Sequence, residues 1–224
     1  MVTANASMEA AGQTKPFLGP QHIYADLNSV SPALKRSIAG EVTSSGAQFV
    51  EAAIMAPVPP SGHRVPILLN GSSAPALLET LAPYRMRLEL LSAEIGAAAA
   101  VKMCRSIIVK GMEALIFECV LGAGYYGADE RVFASLEETF PGMKWRELAD
   151  YVVGRVVVHG ERRAREMEQV ADTLRAIGIE PIMAEATARR QDWCGRSGLA
   201  ARFGAEGPAT YRQVLDALAK SAAS

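Results

Sequence analysis

The chain has 224 residues, half of them apolar, and a formal net charge of −1. That is enough apolar material for a sizeable core, and a balance so near neutral gives no global field toward nucleic acid or an anionic membrane. Cys104, Cys119 and Cys194 form no CxxC pair and His22, His63 and His159 are scattered, so the sequence offers no metal-ligand spacing.

Residues 1–90 alternate short β-like runs with helical or turn-rich pieces. VTAN (2–5) reads as the end of a strand. HIYADLNS (22–29) is β-branched and aromatic, then turns polar, as a parallel strand does where it emerges at a ligand edge. SPALKRSIAGEVTSSG (31–46) predicts a helix with Ser31 as N-cap and Pro32 at the first helical position, closing on Gly46. QFVEAAIMAPV (48–58) is a second strand running into a proline-rich turn. VPILLNG (65–71) is a third, and SAPALLETLAPY (73–84) a short helix. Strands alternating with helices imply a parallel or mixed sheet with crossover connections.

From about Ser92 the rhythm is helical. Residues 93–122 predict one helix of roughly 30 residues, apolar on most faces, the mark of a central helix. ADERVFASLEETF closes on Pro141-Gly142, and the stretch 144–178 closes on Gly178. PIMAEATARRQDWCGRSGLAARFG and TYRQVLDALAK complete a helical half. The fold class expected is α/β followed by all-α, with the join near 88–93 and domains at 1–91 and 92–224. No basic segment leading into an apolar one opens the chain, and no run of 18 apolar residues crosses it. With three unpaired cysteines this predicts a cytoplasmic protein.

In IGAAAAVKMCRSIIVKGMEAL (95–115) a lysine, Lys102, stands among residues that favour burial. Two readings are open. A lysine can bury its stem and extend its amine to water, with Glu94 or Glu113 as partner. Alternatively, a desolvated amine in a cleft has a lowered pKa and exchanges protons near neutral pH. Ser106, four residues on, shares its helix face. DLNSVSP (26–32) lies at the carboxyl end of a strand ahead of a helix N-terminus, where ligands sit in open α/β sheets, or is a plainly capped strand–turn–helix. IMAPVPPSG (54–62) is a pocket wall or a turn. HGERRAREM (159–167) carries His159, Arg162, Arg163 and Glu166 as an anion-binding or a solvated face, and DWCGRSG (192–198) offers Trp193 and Arg196 to core or dimer packing.

Taken in order, these pieces resemble the β-hydroxyacid dehydrogenase family, which includes 3-hydroxyisobutyrate and 6-phosphogluconate dehydrogenases. The likeness is to the branch with a phosphogluconate dehydrogenase-like C-terminal domain. The family's D-x-S-T-x-S-P stands here as Asp26-Leu27-Asn28-Ser29-Val30-Ser31-Pro32, and the resemblance implies cofactor contact at Asn28 and Ser29. Its D-A-P-V-S-G-G stands as Glu51-Ala52-Ala53-Ile54-Met55-Ala56-Pro57, so the substrate-facing triplet becomes Met55, Ala56 and Pro57. Its G-x-G-x-x-x-K-x-x-N-N stands as residues 96–106, with Gly96 and Lys102 in place, Ala98 for the second glycine, and Arg105 and Ser106 for the asparagines. The resemblance implies that Lys102 is the general acid/base and that Ser106 orients the substrate oxygen. His159 or Arg163 falls near the point where the family has a lysine facing substrate or cofactor.

The glycine fingerprint G-x-G-x-x-G is absent as a strand–turn–helix element, because GAGYYG (122–127) ends a long helix instead. The expectation is that the chain begins inside a partial Rossmann-like sheet, with Ala4 and Asn5 near the dinucleotide, and is shortened relative to the family. A sheet so cut leaves the pyrophosphate without its main anchor and a strand edge open. The reading is an NAD- or NADP-dependent oxidoreductase of small hydroxy acid-like molecules. It needs no metal, binds neither nucleic acid nor membrane, and forms a homodimer through its helical half. A non-catalytic relic of the fold and an imine or keto acid reductase are the alternatives.

Overall fold

Residues 48–54 make a strand, β2 (Gln48–Ile54), that is buried from Phe49 to Ala53. A strand covered on both faces needs apolar partners on alternate residues. Phe49 joins Ala11, Val30, Ile38 and Val42 on one side, while Val50 and Ala52 join Val65, Ile67, Leu69 and Ala74 on the other. The computed structural model containing it describes residue 2 and residues 6–222, and divides into two compact units. One unit is Met1–Arg105 with Asp172–Ile179; the other is Ser106–Ala171 with Glu180–Ser224.

In the first unit the sheet order is β1 (Ile23–Asp26), β2, β3 (Ile67–Asn70), β4 (Leu88–Ser92). β1 runs parallel to β2 and β4 parallel to β3, while β3 is antiparallel to β2. The sheet is therefore mixed, as the alternation of strands and helices implies. β4 is absent from the sequence reading, which sets the join between halves there. The reason is physical: four of its five residues are exposed, so it is an edge strand without a buried apolar run. Helices α1 (Ser7–Thr14), α2 (Pro32–Thr43) and α3 (Ala74–Leu81) complete the layers. α2 starts as predicted, with the Ser31 hydroxyl accepting the Leu34 N–H at 3.3 Å. Of VTAN only Val2 is described; the strand expected there and the candidates Ala4 and Asn5 lie outside the described residues.

The long helix α4 (Ala97–Tyr125) begins in the first unit and continues into the second. It ends where Gly127 turns to φ +61°, with the Gly127 and Ala128 N–H groups returning to the carbonyls of Gly124 and Ala123. GAGYYG is thus a helix C-terminus and no phosphate loop. The second unit adds α5 (Asp129–Thr139), α6 (Trp145–Arg175, its last turn in the first unit), α7 (Ile182–Arg196), α8 (Leu199–Phe203) and α9 (Tyr211–Ala222). Its core is built on Phe117, Phe133, Val153, Val156, Leu199 and Val214. α6 and α7 approach so closely that a Cβ on Gly160 would stand 2.6 Å from the Gln191 carbonyl. The architecture is a partial Rossmann-like sheet followed by helices assembled on one long helix. Among the described residues no helix is long and apolar enough to cross a membrane.

Candidate functional site

The turn after β1 is held from beneath by a buried ion pair. Lys35, on α2, places Nζ 2.8 Å from Asp26 Oδ2 and donates to the backbone carbonyls of Asn28 at 2.8 Å and Asp26 at 3.3 Å. Asp26 Oδ1 accepts from the Asn28 N–H at 3.0 Å and from its side-chain amide at 2.7 Å. Asn28 Oδ1 accepts the Val2 N–H at 2.9 Å. Both ends of the Asn28 amide are therefore engaged in bracing the turn. Ser29 is half-buried, and among the described residues its hydroxyl has no recorded partner. Of the two cofactor candidates, Ser29 has the free polar group.

Alongside, β2 runs out into the segment Met55-Ala56-Pro57. The Met55 N–H bonds to the Pro66 carbonyl at 2.9 Å, Met55 and Ala56 are half-buried, and Pro57 is exposed. Of this triplet, one amide is committed to its neighbour and the proline has none. Within β2, Glu51 is fully buried and receives the N–H groups of Gly96 and Ala99, both at 2.6 Å. Charge-assisted bonds at a helix N-terminus satisfy orphan donors, and a carboxylate there is stabilised by the positive end of the helix dipole. Gly96 is required there. Its φ is +104°, and a Cβ would fall 2.8 Å from the Arg36 guanidinium and 3.2 Å from Pro32 Cβ. Ala98, in place of the family's second glycine, is fully buried. Lys102 follows on α4, half-buried.

The second unit gathers charges that the sequence reading only partly assigns. Arg163 is buried and donates through Nε to Glu113 Oε2 at 2.8 Å and through Nη2 to the same oxygen. Arg155 Nε lies 3.7 Å from Glu113 Oε1. Arg163 therefore turns inward from the charged face, whose exposed cations are Arg162 and Arg165. Glu113, weighed as a partner for Lys102, is held by these arginines. Next to this pair, buried Lys110 donates to Ser106 Oγ at 3.0 Å and pairs with Glu166 at 3.1 Å, and Glu166 also receives Arg162 at 2.7 Å. Burial pulls the Lys110 pKa down, against the opposing pull of Glu166. Burial raises that of Glu166, but Lys110 and Arg162 outweigh it and the carboxyl sits below its usual range. His159 is lowered by burial and by Arg162, Arg155 and Arg163. It also lines a groove of about 510 Å³ with Glu147, Tyr151, Arg155 and Glu206. Trp193 packs edge-on against Phe117 and under Arg190, and Arg196 pairs with Asp192 at 2.9 Å.

So Asn28, Ser29 and Met55–Pro57 share the carboxyl ends of two adjacent parallel strands, and Ser106, His159 and Arg163 share one charged cluster. Three contributors escape the sequence reading: Lys35, Glu51 as a helix cap, and Lys110. Lys110 carries a legible signal, as a second lysine in an apolar helix at four residues from Ser106. Lys35 carries none, since on sequence it is one cation among others on an amphipathic helix.

Residues 123–194 match the model of DUF1932, a domain of unknown function. A conserved hypothetical protein from Sinorhizobium meliloti is 35% identical, with a TM-score of 0.77, over 98% of this chain and 73% of that one. Conserved protein MTH1747, of unknown function and structurally similar to 3-hydroxyacid dehydrogenases, is 32% identical with a TM-score of 0.71, over 87% of this chain and 72% of that one. An uncharacterized 28.5 kDa protein of Methanothermus fervidus is 27% identical over 165 residues, 74% of this chain; the match spans 63% of that relative's length. Mycobacterium tuberculosis 3-hydroxyisobutyrate dehydrogenase shares the fold at 14% identity and a TM-score of 0.67, over 97% of this chain and 77% of that one. The chain belongs to the β-hydroxyacid dehydrogenase-like family.

Proposed function

We propose that the protein is an NAD(P)-dependent oxidoreductase of a hydroxy acid-like substrate, with Lys102 as acid/base and Ser106 orienting the substrate oxygen. The observation that carries this reading is the start of α4. Glu51 and the positive φ of Gly96 set the first turn of the very segment that resembles the family's catalytic motif, and so set where along the helix Lys102 stands. Such care over one helix start fits a residue whose placement matters to tenths of an ångström.

The residues present fit the nicotinamide end of a dinucleotide: a turn made rigid by Lys35, with the Ser29 hydroxyl uncommitted. The sequence contains no glycine loop to cradle the pyrophosphate, and the choice between NAD and NADP is left open. When bound, the cofactor supplies hydride exchange at the substrate carbon. Lys102 takes the hydroxyl proton onto Nζ in the oxidative direction and returns it in the reductive one. Met55, Ala56 and Pro57 wall the substrate with apolar groups. Within the second unit, His159, favoured in its neutral form, and Arg163, held by Glu113, are the candidates for contact with the substrate's acid group. Ile108 and Leu115, exposed seven residues apart on α4, support a homodimer through the helical unit.

Calorimetric titration with NADH and NADPH, then turnover of hydroxy acids, keto acids and imines by wild type and Lys102→Ala, tests the reading. The expected affinity is tighter than about 100 µM, or about −5.5 kcal/mol. Lys102→Ala is expected to lower kcat by about 100-fold or more while leaving cofactor affinity in place. Binding without turnover of any class would favour the second reading, a non-catalytic binding protein.

A further inference from the structure

We propose that Lys110 is a positioning residue that holds Ser106 as a hydrogen-bond donor, so that the site takes a substrate presenting an acceptor oxygen in preference to a protonated imine. This rests on the reading of Ser106 as the residue facing the substrate's reacting atom.

The argument begins from donor and acceptor inventories. A lysine ammonium carries three donors and no acceptor. In the 3.0 Å contact between Lys110 Nζ and Ser106 Oγ the nitrogen therefore donates, and the hydroxyl proton of Ser106 must point away from it. Five helical hydroxyls elsewhere, those of Thr14, Ser37, Thr43, Thr80 and Thr139, spend that proton on the carbonyl four residues back. Among the described residues Ser106 makes only the bond from Lys110. Its proton is left for a ligand.

Lys110 is not free to swing aside. It is buried, and Glu166, itself gripped by Arg162, holds the ammonium at 3.1 Å. Lys102 stands one turn before Ser106 on the same helix, so the two present neighbouring groups on one face. By resemblance the family has an asparagine at this position, whose amide offers a donor and an acceptor together. Ser106 with an ammonium behind it offers a donor backed by positive charge. A carbonyl oxygen or an alkoxide gains from both features. A protonated imine brings an N–H donor and a second positive charge to the same place, and loses on both counts.

The test compares NAD(P)H-dependent reduction of keto acids with that of the imines they form with methylamine. The proteins are wild type, Lys110→Met, Lys110→Arg, Ser106→Ala and the Ser106→Ala/Lys110→Met double variant. Support is a wild-type preference for keto acid of roughly ten-fold or more, and a fall in kcat for keto acid of about 10- to 100-fold in Lys110→Met with KM little changed. Partial recovery in Lys110→Arg, and a double variant no worse than Ser106→Ala alone, complete it. A preference for imines, or equal losses on both substrates that add to those of Ser106→Ala, overturns it. If wild type reduces neither class, the dehydrogenase reading fails, and the orientation of Ser106 is judged by itself. The Lys110 ε-carbon is then titrated by 13C NMR: a lower midpoint in Ser106→Ala upholds the donor geometry, and an unchanged midpoint refutes it.

Discussion

Gly96 donates its backbone N–H to the carboxylate of Glu51, 45 residues earlier in the chain, at 2.6 Å, and Ala99 does the same at 2.6 Å. A fully buried carboxylate is costly unless it is paired or hydrogen-bonded. Here the partner is the positive end of a helix. Removing it leaves two N–H groups without acceptors inside the protein. Glu51→Ala is expected to cost about 3–5 kcal/mol of stability in urea unfolding, from two charge-assisted bonds and their desolvated donors. Glu51→Gln, which keeps one acceptor, should cost less. A loss below about 1 kcal/mol for the alanine variant would contradict the assignment.

The Lys35–Asp26 pair makes a second prediction. Both side chains are almost wholly buried, so truncating one leaves the other as an uncompensated charge. Lys35→Met is expected to destabilise by about 3–5 kcal/mol, and adding Asp26→Asn should recover part of that loss. Because Lys35 also holds the carbonyls of Asp26 and Asn28, the double variant should regain stability without regaining the proposed dinucleotide affinity. Equal recovery of both would mean that the turn needs no bracing to bind.

These two contacts also show where reading the sequence stops. The strands at 22–29, 48–58 and 65–71 and the helix cap at Ser31 were legible because period-2 burial and capping are local patterns. Gly96 and Lys102 were legible through resemblance. The acceptor on Glu51 was not: its role depends on which face of β2 meets the start of α4, and that is settled by tertiary packing. β4 was missed for the opposite reason, since an exposed edge strand such as LELLS carries little buried pattern to read. Arg163 looked like one of several surface cations because its partner, Glu113, lies 50 residues away on another helix.

The α6–α7 crossing is a packing prediction with an internal control. A Cβ at Gly160 would meet the Gln191 carbonyl at 2.6 Å, and one at Gly195 would meet Glu161 N at 2.8 Å. Both obstacles are backbone, which cannot rotate away. Gly160→Ala and Gly195→Ala should each cost about 1–3 kcal/mol by overpacking. At Gly122, on α4, a Cβ meets nothing within 4 Å. Gly122→Ala should therefore stabilise, by up to about 1 kcal/mol, through helix propensity alone. Thermal unfolding of the three variants checks the sign change, and a destabilised Gly122→Ala would be the discordant result.

His159 predicts how stability depends on pH. Burial first, and then Arg162, Arg155 and Arg163, lower its pKa from 6.5 in the folded chain, while Glu166 pulls weakly the other way. An unfolded chain has no such surroundings and takes up the proton near the ordinary value. Between the two pKa values the unfolded state thus binds more protons than the folded one, and stability must rise with pH across that window. The contribution is fully favourable above pH 6.5, falls as the pH drops through 6.5, and stops falling once folded His159 is itself protonated. Replacing the imidazole by a neutral amide removes this one titration and leaves the neighbouring arginines in place. The difference in unfolding free energy between wild type and His159→Gln, followed by urea denaturation from pH 8 to pH 5, should therefore be flat above 7 and slope against wild type below it. Salt should shrink the slope, because the three guanidinium groups act on a half-exposed ring through partly screened space. A difference that slopes the other way would mean that Glu166, and not the three arginines, dominates the ring.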